Sequence, residues 1–297
     1  MSKVFIGMPV YNGERFLREA VDSLRAQIFT DWEILISDDA STDDTSVICK
    51  EYIQRDPRIT YIRQEKNTGM FQNFKFLIDQ ADCDYFMWAA QDDLWEKDFL
   101  GTCVERLDTD ADIAIAATSI ADIDSFGRTL RELSSFSFLS GKPGILSIAR
   151  YVLQPEILGK CNIMYSLFRL NAIRKIWEIY PQRTEWGSDY HFSLAAVSHF
   201  GIHIDHRILF KKRHGGFSNP FSTKNDRKDV VRKIEFKNPK NYMFPFGRFN
   251  RYLEGHLEAL RDTHYKPLTA ILLYIRLPRS FIIHFKEKVH NKLKKYD

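Results

Sequence analysis

No stretch of the 297-residue sequence supplies the roughly 20 consecutive apolar residues that a membrane-spanning helix needs. The best candidate, Leu268 to Ile283, is interrupted by Arg276, Pro278 and Arg279, which argues against spanning and leaves surface attachment open. Cysteine is scarce and scattered. Cys49, Cys83, Cys103 and Cys161 form no Cys-x-x-Cys pair, so the usual zinc and redox spacings are absent and the four read as reduced, buried thiols. The opening Met-Ser-Lys-Val-Phe-Ile-Gly lacks the apolar core and cleavage site of a secretory signal, so the expected location is a reducing cytoplasm, at most peripheral at the inner face of the membrane. Charge of one sign is lacking as well: Lys and Arg total 43 against 39 Asp and Glu, an excess too small to argue for nucleic acid as the main partner. There is no internal repeat. Met8-Pro9-Val10-Tyr11-Asn12-Gly13 has Pro9 where the phosphate turn of a dinucleotide-binding dehydrogenase needs glycine. A glycine-rich, basic N-terminal activation loop of the nucleotidyltransferase kind is equally missing.

What is present is a regular alternation in the first half. Val4 to Met8, Glu33 to Ser37, Ile59 to Arg63, Tyr85 to Ala90 and Ile113 to Thr118 read as strands. Between them, Arg15 to Ala26, Asp43 to Gln54, Phe71 to Ala81 and Lys97 to Leu107 carry helical spacing. The alternation predicts an α/β fold with a mostly parallel sheet and helices on both faces, in which ligands bind beyond the carboxyl ends of the strands. Asp124 to Gly144 reads as a long loop or small hairpin over that edge. Further strands are expected at Ile163 to Arg169 and His203 to Phe210, and helices at Asn171 to Ile179 and Asp189 to Ser198. The polar, basic stretch from Phe217 to Asn241 reads as linker, followed by helices at Phe249 to Arg261 and Pro267 to Lys295. The expected division is therefore a domain over 1–216 and a basic linker with a C-terminal helical extension over 217–297.

Four polar clusters fall at strand ends. They are Pro9-Val10-Tyr11-Asn12, Asp38-Asp39-Ala40-Ser41-Thr42-Asp43, Asn67-Thr68-Gly69 and Gln91-Asp92-Asp93-Leu94-Trp95. Each alone is a helix cap or a turn, but a parallel sheet would bring all four to one edge. A nucleotide diphosphate needs cations or backbone donors for its phosphates and directed hydrogen bonds for its base. A carboxylate at Asp39 can accept from the imide N–H of uracil or thymine, Tyr11 can stack on the base, and Asp38 is either a second acceptor or a helper of local folding. Asp92 and Asp93 are adjacent carboxylates that repel unless compensated, and Mn²⁺ or Mg²⁺ with oxygen ligands would do so.

These motifs together resemble those of the family 2 glycosyltransferases of the GT-A fold, inverting enzymes that use nucleotide sugars. The marks are Pro9-Val10-Tyr11-Asn12, Asp38-Asp39-x-Ser41-Thr42-Asp43, Asn67-x-Gly69-x-x-x-Asn73-Phe74 and Gln91-Asp92-Asp93-x-Trp95. The last is similar to the branch whose acidic motif is Asp-Gln-Asp-Asp-x-Trp, found in enzymes that build bacterial surface polysaccharides, with Ala90 here in place of the first Asp. The resemblance implies that Asp93 binds the metal and Asp92 approaches the ribose. It implies a nucleotide site drawn from Pro9, Tyr11, Asn12, Asp38, Asp39, Asn67, Gly69 and Asp92. Trp186-Gly187-Ser188-Asp189-Tyr190 resembles the family's Gly-Glu-Asp segment, which makes Asp189 the expected catalytic base, with Ser188 in place of Glu. Arg213-His214-Gly215-Gly216-Phe217-Ser218 is similar to the family's Arg-x-His-Gly loop with altered spacing, and places His214 at the metal or diphosphate.

The expected partners are then a UDP- or dTDP-linked sugar donor, a saccharide or lipid-linked saccharide acceptor, and an anionic membrane surface met by Pro267 to Lys295. For that last segment a helix packed on the domain is the competing expectation. His199, His203 and His206 are not expected to form a zinc site, because Gly201 and strand alternation separate them. Trp88, Trp177 and Trp186 are expected in the core, with a place bordering the acceptor as the alternative for Trp95 and Trp186, which sit beside the motifs. A noncatalytic nucleotide- or membrane-binding adaptor is the remaining alternative, with the acidic cluster purely structural.

Overall fold

The computed structural model describes residues 2–154, 159–180, 188–214, 255–260 and 263–272. Its sheet begins with β1 (Val4–Val10), β2 (Trp32–Asp38), β3 (Ile59–Arg63) and β4 (Tyr85–Trp88), all parallel, with β1 between β2 and β4. β1, β2 and β4 are buried along almost their whole length, as expected of a sheet covered on both faces, while the edge strand β3 buries only Ile59. The covering helices are α1 (Leu17–Arg25), α2 (Thr45–Arg55) and α3 (Met70–Gln80). In α1 the residues Leu17, Ala20, Val21 and Leu24, spaced three and four apart, are the buried ones, so one apolar stripe seats the helix.

Past β4 the sheet changes direction. β5 (Leu94–Trp95) is short and is followed by α4 (Phe99–Thr109), β6 (Ile113–Ile123) and β7 (Thr129–Leu133). After a 3-10 turn at Ser134–Leu139 come α5 (Ile145–Leu153), a second 3-10 turn at Lys160–Tyr165, β8 (Leu167–Arg169), α6 (Leu170–Ile179), α7 (Ser188–His199) and β9 (Gly201–Arg213). The strand order is β3-β2-β1-β4-β8-β6-β9-β5, with β7 paired to β6 as a hairpin. β8 runs antiparallel to both neighbours, β4 and β6, while β9 is parallel to β6 and antiparallel to β5. The expected strand from Ile163 shortens to Leu167–Arg169, because the residues before it close a 3-10 turn against α7. The expected loop from Asp124 to Gly144 contains β7, so the small-hairpin reading is the one realised.

A single apolar core runs under the whole sheet. At its centre Trp88, fully buried, contacts Phe74, Phe86, Trp177 and Phe192 with ring centroids 5.0, 5.4, 5.7 and 5.6 Å away. It ends β4 four residues before Asp92, so the acidic segment leaves a rigid anchor whose loss would cost about 3–5 kcal/mol. α7 is buried on nearly every face between His191 and Ser198. One cover is the segment at 255–260, where Ala259 and Leu260 are fully buried and the His256 ring meets His191 edge-on at 4.9 Å. A Cβ on Gly255 would lie 2.2 Å from the His191 ring, so only glycine fits that approach. The helical residues 266–272 turn Thr269 inward and leave Leu268 and Ile271 exposed, and the remainder of the expected C-terminal helix lies outside the described residues. No helix among the described residues is long and apolar enough to cross a membrane.

Candidate active site

The parallel register brings the ends of β1 and β2 level, Val10 opposite Asp38, and extends it by a bond from the Asp39 N–H to the Val10 carbonyl at 2.8 Å. The loops that follow are stitched to one another by their polar side chains. Asn12 donates its N–H to Ser41 Oγ (2.9 Å) and accepts the Thr42 N–H on Oδ1 (2.8 Å), which joins the first cluster to the second. Asp39 accepts the Thr68 N–H (2.7 Å) and hydroxyl (2.9 Å) on Oδ1 and the Gly69 N–H (2.9 Å) on Oδ2, which joins the second to the third. Gln91 accepts the Tyr11 N–H (2.9 Å) and donates to the Tyr11 carbonyl (3.2 Å), which joins the fourth to the first. A Cβ on Gly13 would stand 2.9 Å from Gln91 Oε1, so a larger residue there would push on the side chain that holds Tyr11.

Two non-glycine residues sit in the left-handed region here, Asn12 at φ 51° and Ala40 at φ 61°. Asn tolerates that conformation; for Ala it costs on the order of 1–2 kcal/mol, retained because it turns the chain between Asp39 and Ser41. Asp38 is wholly buried, accepting the Ser41 N–H on Oδ1 (2.8 Å) and the Tyr61 hydroxyl on Oδ2 (2.7 Å). That geometry corresponds to the helper of local folding rather than to a ligand-facing acceptor. Asp39 has spent three of the roughly four acceptor positions of a carboxylate, leaving one on Oδ2 for a ligand. Pro9 and Tyr11 are half-buried at this edge, and Asn12 and Asn67 are exposed beside them. Asn73 is turned inward instead, its amide donating to the Ser37 carbonyl at 2.8 Å, and fastens α3 to β2.

Asp92 and Asp93 lie on the far side of the same edge, both buried. Arg213, at the end of β9, holds this loop: its N–H donates to Asp93 Oδ1 (2.8 Å) and its Nε to the Asp92 carbonyl (2.9 Å). Its guanidinium also reaches the carbonyls of Asp124 and Ser125 and Glu19 Oε2 (2.7 Å). Burial, and then the neighbouring charge of Asp92, pushes the Asp93 carboxyl up to about 8, against the opposing pull of Lys212 and Arg213. Among the described residues no group of three His, Cys, Asp or Glu is arranged to hold a metal by itself. The two carboxylates nevertheless fit Mn²⁺ or Mg²⁺, which are commonly held by one or two carboxylates with substrate phosphates completing the shell. Burial, and then the charge of Asp92, disfavours ionisation of Asp93, and a bound cation would oppose both.

Asp189 opens α7, half-buried, and accepts the Tyr190 N–H at 3.0 Å. Burial raises its carboxyl, while Lys212, the Tyr190 N–H and the Cys161 thiol pull it back. Burial works against the Lys212 ammonium, while charges that include Asp93 and Asp189 raise it. His214 follows Arg213 directly, and its Nε2 lies 3.0 Å from buried Asp122, which Arg131 also pairs. Of the tryptophans, Trp95 is buried against Phe210 and Trp186 lies outside the described residues, as do Gly187 and the run from Gly215 to Ser218. His203 and His206 sit on β9, and His199 at the end of α7. Residues absent from the sequence-based site are Lys212, Cys161, Asn162 and Tyr165. Alternation along β9 marks Lys212 as facing opposite to Lys211 and Arg213, but no pattern along the chain pairs it with Asn162.

The profile of the family described as Glycosyl transferase family 2 matches residues 5–177, more than half of the chain. Among curated relatives, the glycosyltransferase GlyA of Streptococcus pneumoniae is 35% identical over 114 residues, 38% of this chain and 16% of its own length. The dTDP-rhamnosyl transferase RfbG of Shigella flexneri is 38% identical over 105 residues, 34% of this chain and 36% of its own. The chain thus spans less than two thirds of the length of the curated relatives it matches. Among solved structures, S. aureus TarS 1-349 in complex with UDP-GlcNAc superposes with a TM-score of 0.58 at 18% identity, over 94% of this chain and 89% of that one. The mannosyltransferase PcManGT of Pyrobaculum calidifontis, in complex with GDP-Man and Mn²⁺, gives 0.53 at 15% identity over 95% and 75%. These two show the fold, a GT-A type sheet; by its matched residues the chain belongs to glycosyl transferase family 2.

Proposed function

We propose that this glycosyltransferase moves a sugar from a UDP- or dTDP-linked donor to a saccharide or lipid-linked saccharide acceptor, with inversion at the anomeric carbon, in the building of a bacterial surface polysaccharide. Residues 1–216 form the catalytic unit in this reading and 217–297 the extension that meets the acceptor's membrane. The observation that supports it is a set of carboxylates at separate places, Asp39 after β2, adjacent Asp92 and Asp93 after β4, and Asp189 in the first turn of α7. Donor and acceptor chemistry need those three at different places. Tyr11 and Asp39 take the base, Asp92 the ribose, and Asp93 holds the divalent cation. That cation, when bound, neutralises charge on the leaving diphosphate. Asp189 takes the proton of the acceptor hydroxyl as it attacks, because an alcohol is a poor nucleophile until that proton is removed. A dTDP-rhamnosyl transferase among the relatives and a UDP-GlcNAc complex among the structural neighbours support a nucleotide-sugar donor.

The test is nucleotide release from a panel of UDP-, dTDP- and GDP-sugars, with and without EDTA and excess Mn²⁺, in the presence of a membrane-lipid extract as acceptor source. Release of UDP or dTDP, abolished by EDTA and restored by Mn²⁺, is expected. Binding of donors without any turnover would favour the adaptor alternative, and pyrophosphate release would indicate nucleotidyl transfer.

A further inference from the structure

α7 carries Asp189 in its first turn, and three other segments of the chain converge on that turn. From α5, the Tyr151 hydroxyl donates to the Tyr190 carbonyl at 2.6 Å. Just past α6, the Tyr180 hydroxyl meets His191 Nδ1 at 2.9 Å. From residues 255–260, the fully buried His256 sets its ring edge-on against His191 at 4.9 Å. Gly255 approaches the same ring so closely that a Cβ there would lie 2.2 Å from Cε1 and 2.4 Å from Nδ1. His191 itself is 2% exposed, and Ala259 and Leu260 join the same apolar core. Farther along the helix, Ser193 Oγ donates to the Cys161 carbonyl at 3.2 Å, which fastens α7 to the 3-10 turn at Lys160–Tyr165.

We propose that residues 255–260 are part of the catalytic unit, a brace on the first turn of α7, and that His191 is the positioning residue through which the brace fixes the base Asp189. The inference rests on the base role proposed above for Asp189, and it carries the catalytic unit past the division at 216. A base acts only from a narrow range of positions, so the turn that bears it must itself be held. The bond that Asp189 accepts from the Tyr190 N–H lies within that turn; it orients the carboxylate on the helix without fixing the helix to its surroundings. The contacts from Tyr151, Tyr180 and the 255–260 segment do fix it. They pin two successive residues, Tyr190 through its carbonyl and His191 through its ring. Met on one side by Tyr180 and on another by His256, the His191 ring cannot swing away without giving up one of those contacts. A side chain at position 255 would therefore displace either the brace or the turn.

Gly255→Ala, His191→Ala and the double variant test this in the full-length chain, by transfer kinetics at saturating acceptor and by thermal melts. Relieving the 2.2 Å approach to ordinary contact takes a shift of about 1 Å, and misplacement of that order lowers rates by about 10²-fold. Gly255→Ala is expected to lose roughly 10- to 100-fold in kcat at a temperature where it is fully folded, with donor KM within about 2-fold of the unmodified protein. His191→Ala should lose a similar factor. In that background Gly255→Ala meets no ring and should cost nothing more, so the double variant should match His191→Ala within about 2-fold. An unchanged kcat in folded His191→Ala overturns the proposal, whether or not Gly255→Ala folds. So do losses that multiply in the double variant, or a raised donor KM at constant kcat. Loss of kcat only where the melts show unfolded protein would make the contact merely structural and overturn it as well. Asp189→Asn, run beside them, separates this inference from the reading beneath it. Near-normal transfer there removes the base and the brace together, whereas a fall there with normal kcat in His191→Ala removes the brace alone.

Discussion

Replacing Asp93 with Asn removes a buried ionisable carboxyl while leaving an oxygen to accept the Arg213 N–H. The wild-type carboxyl is 2% exposed, and burial with the charge of Asp92 raises it from 3.8 to about 8. The sign follows from proton counting. Between about pH 4 and pH 8 the folded state keeps this proton and the unfolded chain has lost it, so the fold is stabilised at low pH and loses that contribution as pH rises. The slope is about 1.4 kcal/mol per pH unit for one proton, which sets a ceiling near 6 kcal/mol across the window. Relaxation of the loop and entry of water on ionisation should reduce this to roughly 2–3 kcal/mol. Melts of wild type and Asp93→Asn from pH 5 to pH 9 without metal would therefore diverge, the variant holding its melting temperature while the wild type falls by roughly 5 °C relative to it. Mn²⁺ should reverse the divergence in the wild type alone, by about 2.7 kcal/mol at a hundredfold excess over Kd. Parallel pH curves, or equal stabilisation of both proteins by Mn²⁺, would refute both the buried negative charge and its compensation by a cation.

Asp189→Asn should keep the melting temperature and donor binding while turnover with the true acceptor falls by about 10² to 10⁴, measured by transfer rather than by slow donor hydrolysis. Near-normal transfer would remove Asp189 from the base role. Asp39→Asn turns an amide N–H toward the Thr68 or Gly69 N–H; it should raise donor KM by roughly tenfold and cost about 1–2 kcal/mol of stability, read by donor titration and urea melts. Arg213→Ala strands the carbonyls of Asp92, Asp124 and Ser125, for an expected loss of about 2–3 kcal/mol in urea unfolding. Glu19→Gln should cost less than about 1 kcal/mol, because that partner is half exposed to solvent.

Much of this organisation is legible along the chain. The alternation of apolar runs and helical stripes predicts β1 to β4 and α1 to α4 within a few residues, because each element buries a face whose period its own sequence carries. The clusters at the ends of β1 to β4 follow from the same pattern, since parallel strands must deliver their carboxyl ends to one edge. Asp39, Asp92 and Asp93 are thus named before any coordinate is known. Their inequality is not legible. Asp38 and Asp39 are neighbours of the same type, and only the position of Tyr61, one strand away, buries the first while the second is left an open acceptor position. His214 was readable only as a histidine beside a glycine loop; it is the β6–β9 pairing, with Asp122 beside Lys212 and Ile123 beside Arg213, that seats it on Asp122. Reversal of β8 between two strands, the 3-10 turn packed against α7 and the bond from Lys212 to Asn162 of that turn are likewise tertiary outcomes. The physical reason is range: periodicity and turn chemistry act over a few residues and are written locally, whereas burial of a charge depends on which distant segments exclude water from it.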